Sequence, residues 1–235
     1  MEHRSLTVLL VALAVGAGTA RAADSGFLSD YSKLTQAAGE VGADRLYLAE
    51  GAVEKAGAYS AVFVEQPEFF IAEDSKYKGI KPDELKVLAD SMREAVVREL
   101  HGDFSVVDIP EEGVLGVRIG LSNVHLQKKK RGLLGYTPVG AVAFAVKKSF
   151  DDLMEKVQLK GAMLEVEVTD AATGEVLAAL VESRGLSGEE ATSWAQTQSF
   201  FSLVGQRIAC RLNNARVPEG ERADCLAIQE APADE

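Results

Sequence analysis

MLEVEVTDAATGEVLAALVESRG, residues Met163 to Gly185, decides the fold. Leu164, Val166 and Val168 alternate with Glu165 and Glu167, the period of two that a half-buried strand requires. Asp170 carries a carboxylate that accepts backbone hydrogen bonds in a turn. Gly174 can take the positive φ of a short hairpin loop. Val176 to Val181 therefore returns as the partner strand. The aliphatic residues face a core, and Glu165 and Glu167 face outward, where acidic groups are solvated. The sharper alternative, a pair of acid–base carboxylates, uses the same two residues.

The segment after the hairpin supplies the cover. Ser193 with Gln196 fits a capping box. Trp194, Thr197, Phe201, Val204, Ile208 and Leu212 then form a helical stripe suited to lying across a sheet. Upstream, Pro82 occupies a first helical position with Asp83 and Glu84 in the first turn, where the helix dipole favours anions. Leu85, Leu88, Met92, Val96 and Leu100 recur at helical spacing until Gly102 stops the run. His101 at that helix end reads as a capping or surface residue rather than a metal ligand.

Strands are expected elsewhere as well. Tyr59 to Gln66 is rich in β-branched and aromatic residues and ends at Pro67, which cannot donate to a ladder; Glu68 to Ala72 extends it past a kink. Phe104 to Ile109 is a further strand, followed by a turn at Pro110–Gly113. From Val114, Leu115, Val117, Ile119 and Leu121 face one way, and Gly116, Arg118, Gly120 and Ser122 the other. Arg118 thus points to solvent, to a partner carboxylate or to a bound group. Ser25 to Leu34 disfavours a regular helix, and Phe27, Leu28, Tyr31 and Leu34 read as anchors that dock the segment on the domain. Thr35 to Gly57 reads mostly as loop, with Arg45 to Leu48 extended. A helix is expected over Ala141 to Val157 in the otherwise illegible stretch His125 to Lys160.

The element order predicts an α+β domain: a mixed β-sheet of about five strands, with two main helices packed on one face. The domain is expected over residues 23–225, between a cleaved leader at 1–22 and an acidic, disordered tail at 226–235. The leader is read from a short polar segment with Arg4, an apolar run from Leu6 to Val15, and Ala20-Arg21-Ala22 before the cut. A buried amino-terminal helix is the competing reading. The apolar run is shorter than the about 20 residues that span a bilayer, and no second such run follows, so no membrane span is expected in the mature chain. Removing 22 of 235 residues leaves 213, ample for one packed core.

The whole chain has a formal charge of −11, and loss of Arg4, Arg21 and Glu2 with the leader makes it −12. That balance argues against a nucleic-acid binder, which needs a basic face. Cys210 and Cys225 are the two cysteines, and export to an oxidising compartment makes a disulfide between them the expected state. A reactive thiol pair is the alternative, although redox proteins space their cysteines as CxxC. No zinc spacing, GxSxG elbow, phosphate loop or HExxH pattern is present, and no cofactor is expected. Lys128-Lys129-Lys130-Arg131 stands out on the negative background. It reads either as an exposed loop or as a contact for anionic lipid headgroups or an acidic partner. Arg118, Arg184 and Trp194 flank the predicted sheet and read either as packing and ion pairing or as a shared ligand groove.

Two separated stretches carry a family resemblance: Gly26-Phe27-Leu28 through Asp30-Tyr31-Ser32 and Leu34, and Glu165, Asp170, Thr173-Gly174-Glu175 and Leu177-Ala178, followed by Trp194 and the helix to Arg211-Leu212. Tyr59 and Leu115 to Ile119 with Arg118 also fit. The chain resembles the bacterial envelope family catalogued as domain of unknown function 3313. The resemblance implies an exported, often lipid-anchored protein with no assigned activity. This chain has Ala22-Ala23-Asp24 where many members place a cysteine for acylation, so a periplasmic or secreted form without a lipid anchor is expected. The expected role is a non-enzymatic binding or assembly factor of the cell envelope, with an envelope protein or an anionic membrane surface as partner. The alternative is a hydrolase of envelope material that uses Arg118 and the outward acidic residues.

Overall fold

The computed structural model describes residues 24–37, 43–128, 157–183 and 194–228. The strands are β1 (Thr35–Gln36), β2 (Arg45–Leu48), β3 (Ala61–Val64), β4 (Glu68–Ile71), β5 (Ser105–Val106), β6 (Val114–Lys128), β7 (Val157–Asp170) and β8 (Val176–Glu182). The helices are α1 (Ala52–Ala56), α2 (Pro82–Leu100) and α3 (Trp194–Asn214). The eight strands among the described residues form one sheet in the order β1-β2-β8-β7-β6-β3-β5, with β4 also paired to β6. β3 runs parallel to β5 and β6, and β4 parallel to β6, while the other pairs are antiparallel. The fold is α+β with a mixed sheet.

The sheet has eight strands where about five were expected. Part of the excess comes from very short edges: β1 and β5 are two residues each. Part comes from Pro67. The chain pairs Ala61–Val64 with Val114–Val117 and then, after the proline, pairs Glu68 with Gly120 and Ile71 with Val124. One long strand thus serves two short ones, because a proline in the middle of a ladder has no N–H to donate.

The hairpin is as its sequence requires. Ala172 N–H and Thr173 N–H donate to Asp170 Oδ1 at 3.1 and 2.8 Å, and Gly174 has φ +73°. The Tyr59 hydroxyl donates to Asp170 Oδ2 at 2.7 Å, fixing the turn to the start of β3. Leu164 and Val166 of β7 join Leu115, Val117, Ile119 and Leu121 of β6 in the main core, which Met92, Val96, Phe201 and Ile208 of the two long helices cover. The helices approach closely at Gly205, where a Cβ would stand 3.0 Å from Val96 Cα.

β6 changes face midway. Asn123 has φ +50°, and the register with β7 shifts between Ser122 and His125. Before this bulge the odd-numbered residues face the core; after it Val124 and Leu126 do. An inserted residue flips every later side chain, which is why the alternation stops being readable near His125. Val157, expected as the end of a helix, begins β7. The rest of that expected helix, Ser193 of the capping box, the leader and the tail beyond Ile228 lie outside the described residues.

A second, smaller core sits on the opposite sheet face. Phe27, Leu28 and Leu34 of the amino-terminal segment are buried against Ala179 and Val181 of β8, flanked by Tyr31, Tyr47, Phe70 and Met163. This segment, Ser25 to Leu34, is here termed the strap.

Candidate functional site

β6 and β7 set Arg118 opposite Glu167 and Gly120 opposite Glu165 on the strap face. The two glutamates are 1 % and 2 % exposed, which corrects the expectation of solvated outward carboxylates: the strap lies over them. Ser29 donates to Glu167 through its backbone N–H and its hydroxyl, both at 2.8 Å. Arg118 Nη1 donates to the same carboxylate at 2.6 Å. The Tyr31 hydroxyl donates to Glu165 and accepts from Phe27 N–H and Leu28 N–H at 3.1 and 3.2 Å. Burial, and then the bond to Glu165, raise the pKa of Tyr31, so the phenol remains a donor at neutral pH.

Arg118 is the hub. Its guanidinium lies 4.7 Å from the Phe27 ring centroid, and Nη2 donates to the Phe27 carbonyl at 3.3 Å. Glu65 and Glu68, both partly exposed, stand 3.6 and 3.7 Å from its nitrogens. Phe27 can reach this depth because Gly120 lies beneath it: a Cβ there would be 2.8 Å from the ring. Carboxylate partners, one of the three alternatives read for Arg118, are present in Glu167, Glu65 and Glu68. The small residues that alternate with Arg118 were the available sequence signal that another segment approaches this face. Nothing local to Ser29 or Tyr31 marked them as the partners of strand glutamates.

A second buried ion cluster joins β8 to α3. Glu182, 1 % exposed, accepts from Arg207 Nη1 at 2.9 Å and Arg211 Nη2 at 2.7 Å. Arg207 also reaches the Ile228 carbonyl at 3.4 Å, and Cys210 is bonded to Cys225, with Cα atoms 5.7 Å apart. The disulfide expected from the sequence thus fastens the carboxy-terminal segment to α3. Arg207 and Glu182 carry no local signal of this pairing, since charged residues within apolar runs read as surface in a single sequence.

Of the remaining candidates, Lys128 and Trp194 belong to described elements. Lys128 ends β6 with its Nζ 5.2 Å from the Tyr77 ring centroid, and Lys129, Lys130, Arg131 and Arg184 lie outside the described residues. Trp194 opens α3, which packs on the sheet face opposite Arg118. Among the described residues, no cluster of three His, Cys, Asp or Glu has metal-binding geometry, and no helix is long and apolar enough to cross a membrane.

The family model described as protein of unknown function (DUF3313) matches residues 23–206. No curated protein matches the chain. Among solved structures, a neuraminyllactose-binding hemagglutinin homolog from Helicobacter pylori is 12 % identical, with TM-score 0.30, covering 67 % of this chain and 82 % of its own. A PDZ domain protein from Parabacteroides distasonis is also 12 % identical, with TM-score 0.28, covering 66 % of this chain and 33 % of its own. Likenesses this distant carry no functional argument.

Proposed function

Given that the chain belongs to the DUF3313 family, whose description assigns no activity, we propose from its own chemistry that it is an exported, non-enzymatic binding or assembly factor of the cell envelope. The observation that carries this reading is the state of its most reactive-looking groups. Glu165, Glu167 and Arg118 are engaged by Tyr31, Ser29 and Phe27 of the same chain. A general acid or base must reach a substrate proton, and these carboxylates lie under the strap. Tyr31 of the first signature stretch meets Glu165 of the second at this contact, so a folded scaffold accounts for that pair. The hydrolase alternative would turn on Glu65 and Glu68, the more exposed carboxylates beside Arg118, since the Ser29 and Tyr31 hydroxyls of the cluster are already donated to Glu167 and Glu165.

The leader at 1–22 and the Ala22-Ala23-Asp24 sequence support a periplasmic form without an acyl anchor. Mild cross-linking of the exported chain in periplasm, followed by recovery under denaturing conditions, is expected to return the same partner repeatedly. Purified chain is expected to leave isolated envelope material unchanged. Recovery of no partner together with turnover of that material overturns the reading. Intact mass of the exported protein is expected to begin at Ala23 with no lipid adduct.

A further inference from the structure

The strap is held to the sheet as a ligand is held. Among the described residues, 25–34 pair with no strand, so no ladder fastens them. Phe27 sits over Gly120, against the Arg118 guanidinium and edge-on to Phe70, with 6.2 Å between the two ring centroids. Ser29 and Tyr31 reach Glu167 and Glu165 across 138 and 134 residues of chain, so no local geometry ties donor and acceptor to one copy. The bend of the strap is its own. The Tyr31 hydroxyl accepts from Phe27 N–H and Leu28 N–H, Ser25 Oγ lies 2.8 Å from it, and Asp30 Oδ1 accepts from Ser32 N–H at 2.9 Å.

The face beneath the strap is one that water tolerates. When the strap lifts, Glu165 and Glu167 exchange its N–H and hydroxyl donors for water, a small net change per bond, and Arg118 keeps Glu167. Lifting a long helix would instead expose Met92, Val96, Phe201 and Ile208. In the strap only Phe27, Leu28 and Leu34 give up full apolar burial. The chain that follows is held by β1, whose ladder with β2 is two residues long. The strap is thus a short, self-shaped unit that opens without unfolding the sheet.

We propose that the strap exchanges between two copies of the chain, each docking its strap on the strap face of the other. Tyr31 of one copy then donates to Glu165 of its partner, Ser29 to Glu167, and Phe27 fills the notch over Gly120. The occupant is argued from fit, because the strap is itself a segment whose ring, hydroxyls and N–H match that face. Each copy supplies one strap and one face, so the contact closes as a two-fold dimer with every donor and acceptor engaged. The formal charge of −11 on each copy opposes association at low salt, and at about 0.15 M ionic strength that repulsion is screened beyond roughly 8 Å. Within the strap itself Asp30 and Lys33 balance. The chain's own strap competes at an effective concentration on the order of millimolar, so exchange takes over where the intrachain contact is weakened or copies are crowded. Strap exchange goes beyond the envelope-binding reading above and does not depend on it.

The test separates strap from face in the full mature chain. One variant, Ser29→Ala with Tyr31→Phe, pairs a defective strap with an intact face. The other, Gly120→Ala, pairs an intact strap with a blocked notch. Mixed at about 0.1 mM, the two are expected to form a one-to-one heterodimer, read by native mass spectrometry, at least about tenfold more abundant than either homodimer. Excess peptide of residues 25–34 is expected to dissolve it, and the same peptide carrying Ser29→Ala and Tyr31→Phe is expected to leave it intact. Amide protection of α2 checks that both variants are folded. A second measurement needs no variant: the unmodified peptide is expected to bind the unmodified chain and to quicken amide exchange over the chain's own residues 25–31 by about tenfold as it displaces them. Folded variants that stay monomeric when mixed overturn the proposal. So does a heterodimer that the peptide leaves intact, or a peptide that fails to displace the strap of the unmodified chain.

Discussion

Glu167 shows how a single side chain holds two distant parts of the chain together. Its carboxylate takes three donors, from Ser29 N–H, the Ser29 hydroxyl and Arg118. Buried ion pairs are costly to break by removing one member, since the other charge is left desolvated and unpaired. Glu167→Ala is expected to destabilise the fold by about 3 kcal/mol, read as a lower urea midpoint. Glu65→Ala and Glu68→Ala, at exposed partners of the same arginine, are expected to cost under about 1 kcal/mol. Tyr59 gives a pH signature. Burial first, and then the bond to Asp170, push its pKa from 10 up to about 12. Below pH 10 the phenol is neutral in both folded and unfolded chains, and its contribution is intact. Between pH 10 and about 12 the unfolded chain ionises while the folded one does not, so stability falls as pH rises through that window. Tyr59→Phe is expected to flatten that alkaline slope. Asp170 is shifted down from 3.8, first by the Tyr59 hydroxyl and then by Thr173 N–H, so its contribution is present above the ordinary carboxylate range and lost as pH falls below 3.8.

Whole elements divide into those whose period could be read and those set by distant contacts. α2, α3 and the β7–β8 hairpin follow from local signals: helical spacing from Leu85 to Leu100, the stripe from Trp194 to Leu212, and the Asp170–Gly174 turn. β1 does not, and Arg45–Leu48, read as extended and found as β2, gave no sign of its place in the ladder with Ala178–Val181. The strap is intermediate. Its anchors Phe27, Leu28 and Leu34 were legible as apolar residues in a non-helical segment, but their seat was not, since it depends on Gly120 and on glutamates far along the chain. For the candidate site, Arg118 and the two glutamates were legible as one-face residues. Their mutual burial was not, because it takes a segment more than a hundred residues away in sequence to cover them. Gly120→Ala tests that seat. A Cβ at 2.8 Å from the Phe27 ring forces the ring to move, at an expected cost of about 1–3 kcal/mol. The loss is expected to localise: amide exchange should quicken over residues 25–31 and leave α2 unchanged.

At the scale of the molecule, one sheet is closed on its two faces by different means. The helix face is closed by apolar packing, in which Gly205 lets α3 meet α2, and the strap face by polar contacts around a small apolar patch. The carboxy-terminal segment is then tied back on α3 at three kinds of contact. Asn214 Nδ2 donates to the Ala223 carbonyl at 2.8 Å, Ala223 N–H donates to Asn214 Oδ1 at 2.9 Å, and Cys210 is bonded to Cys225. Arg207 links the same segment to the buried Glu182 through the Ile228 carbonyl. The disulfide spans a sequence separation of 15, for which the loop-entropy model gives about 3 kcal/mol. Thiol labelling of the protein without reductant is expected to find no free cysteine, and two labelled cysteines would remove the staple. The double variant Cys210→Ser, Cys225→Ser is expected to lower stability by about 2–4 kcal/mol while preserving the sheet's far-ultraviolet signal. Exchange should quicken first over residues 215–228, because that segment loses its covalent tie and keeps the exchangeable contacts of Asn214, Arg207 and Arg216. If exchange instead quickens equally along β6 and β7, the bond supports the whole sheet and the segment is part of its cooperative unit.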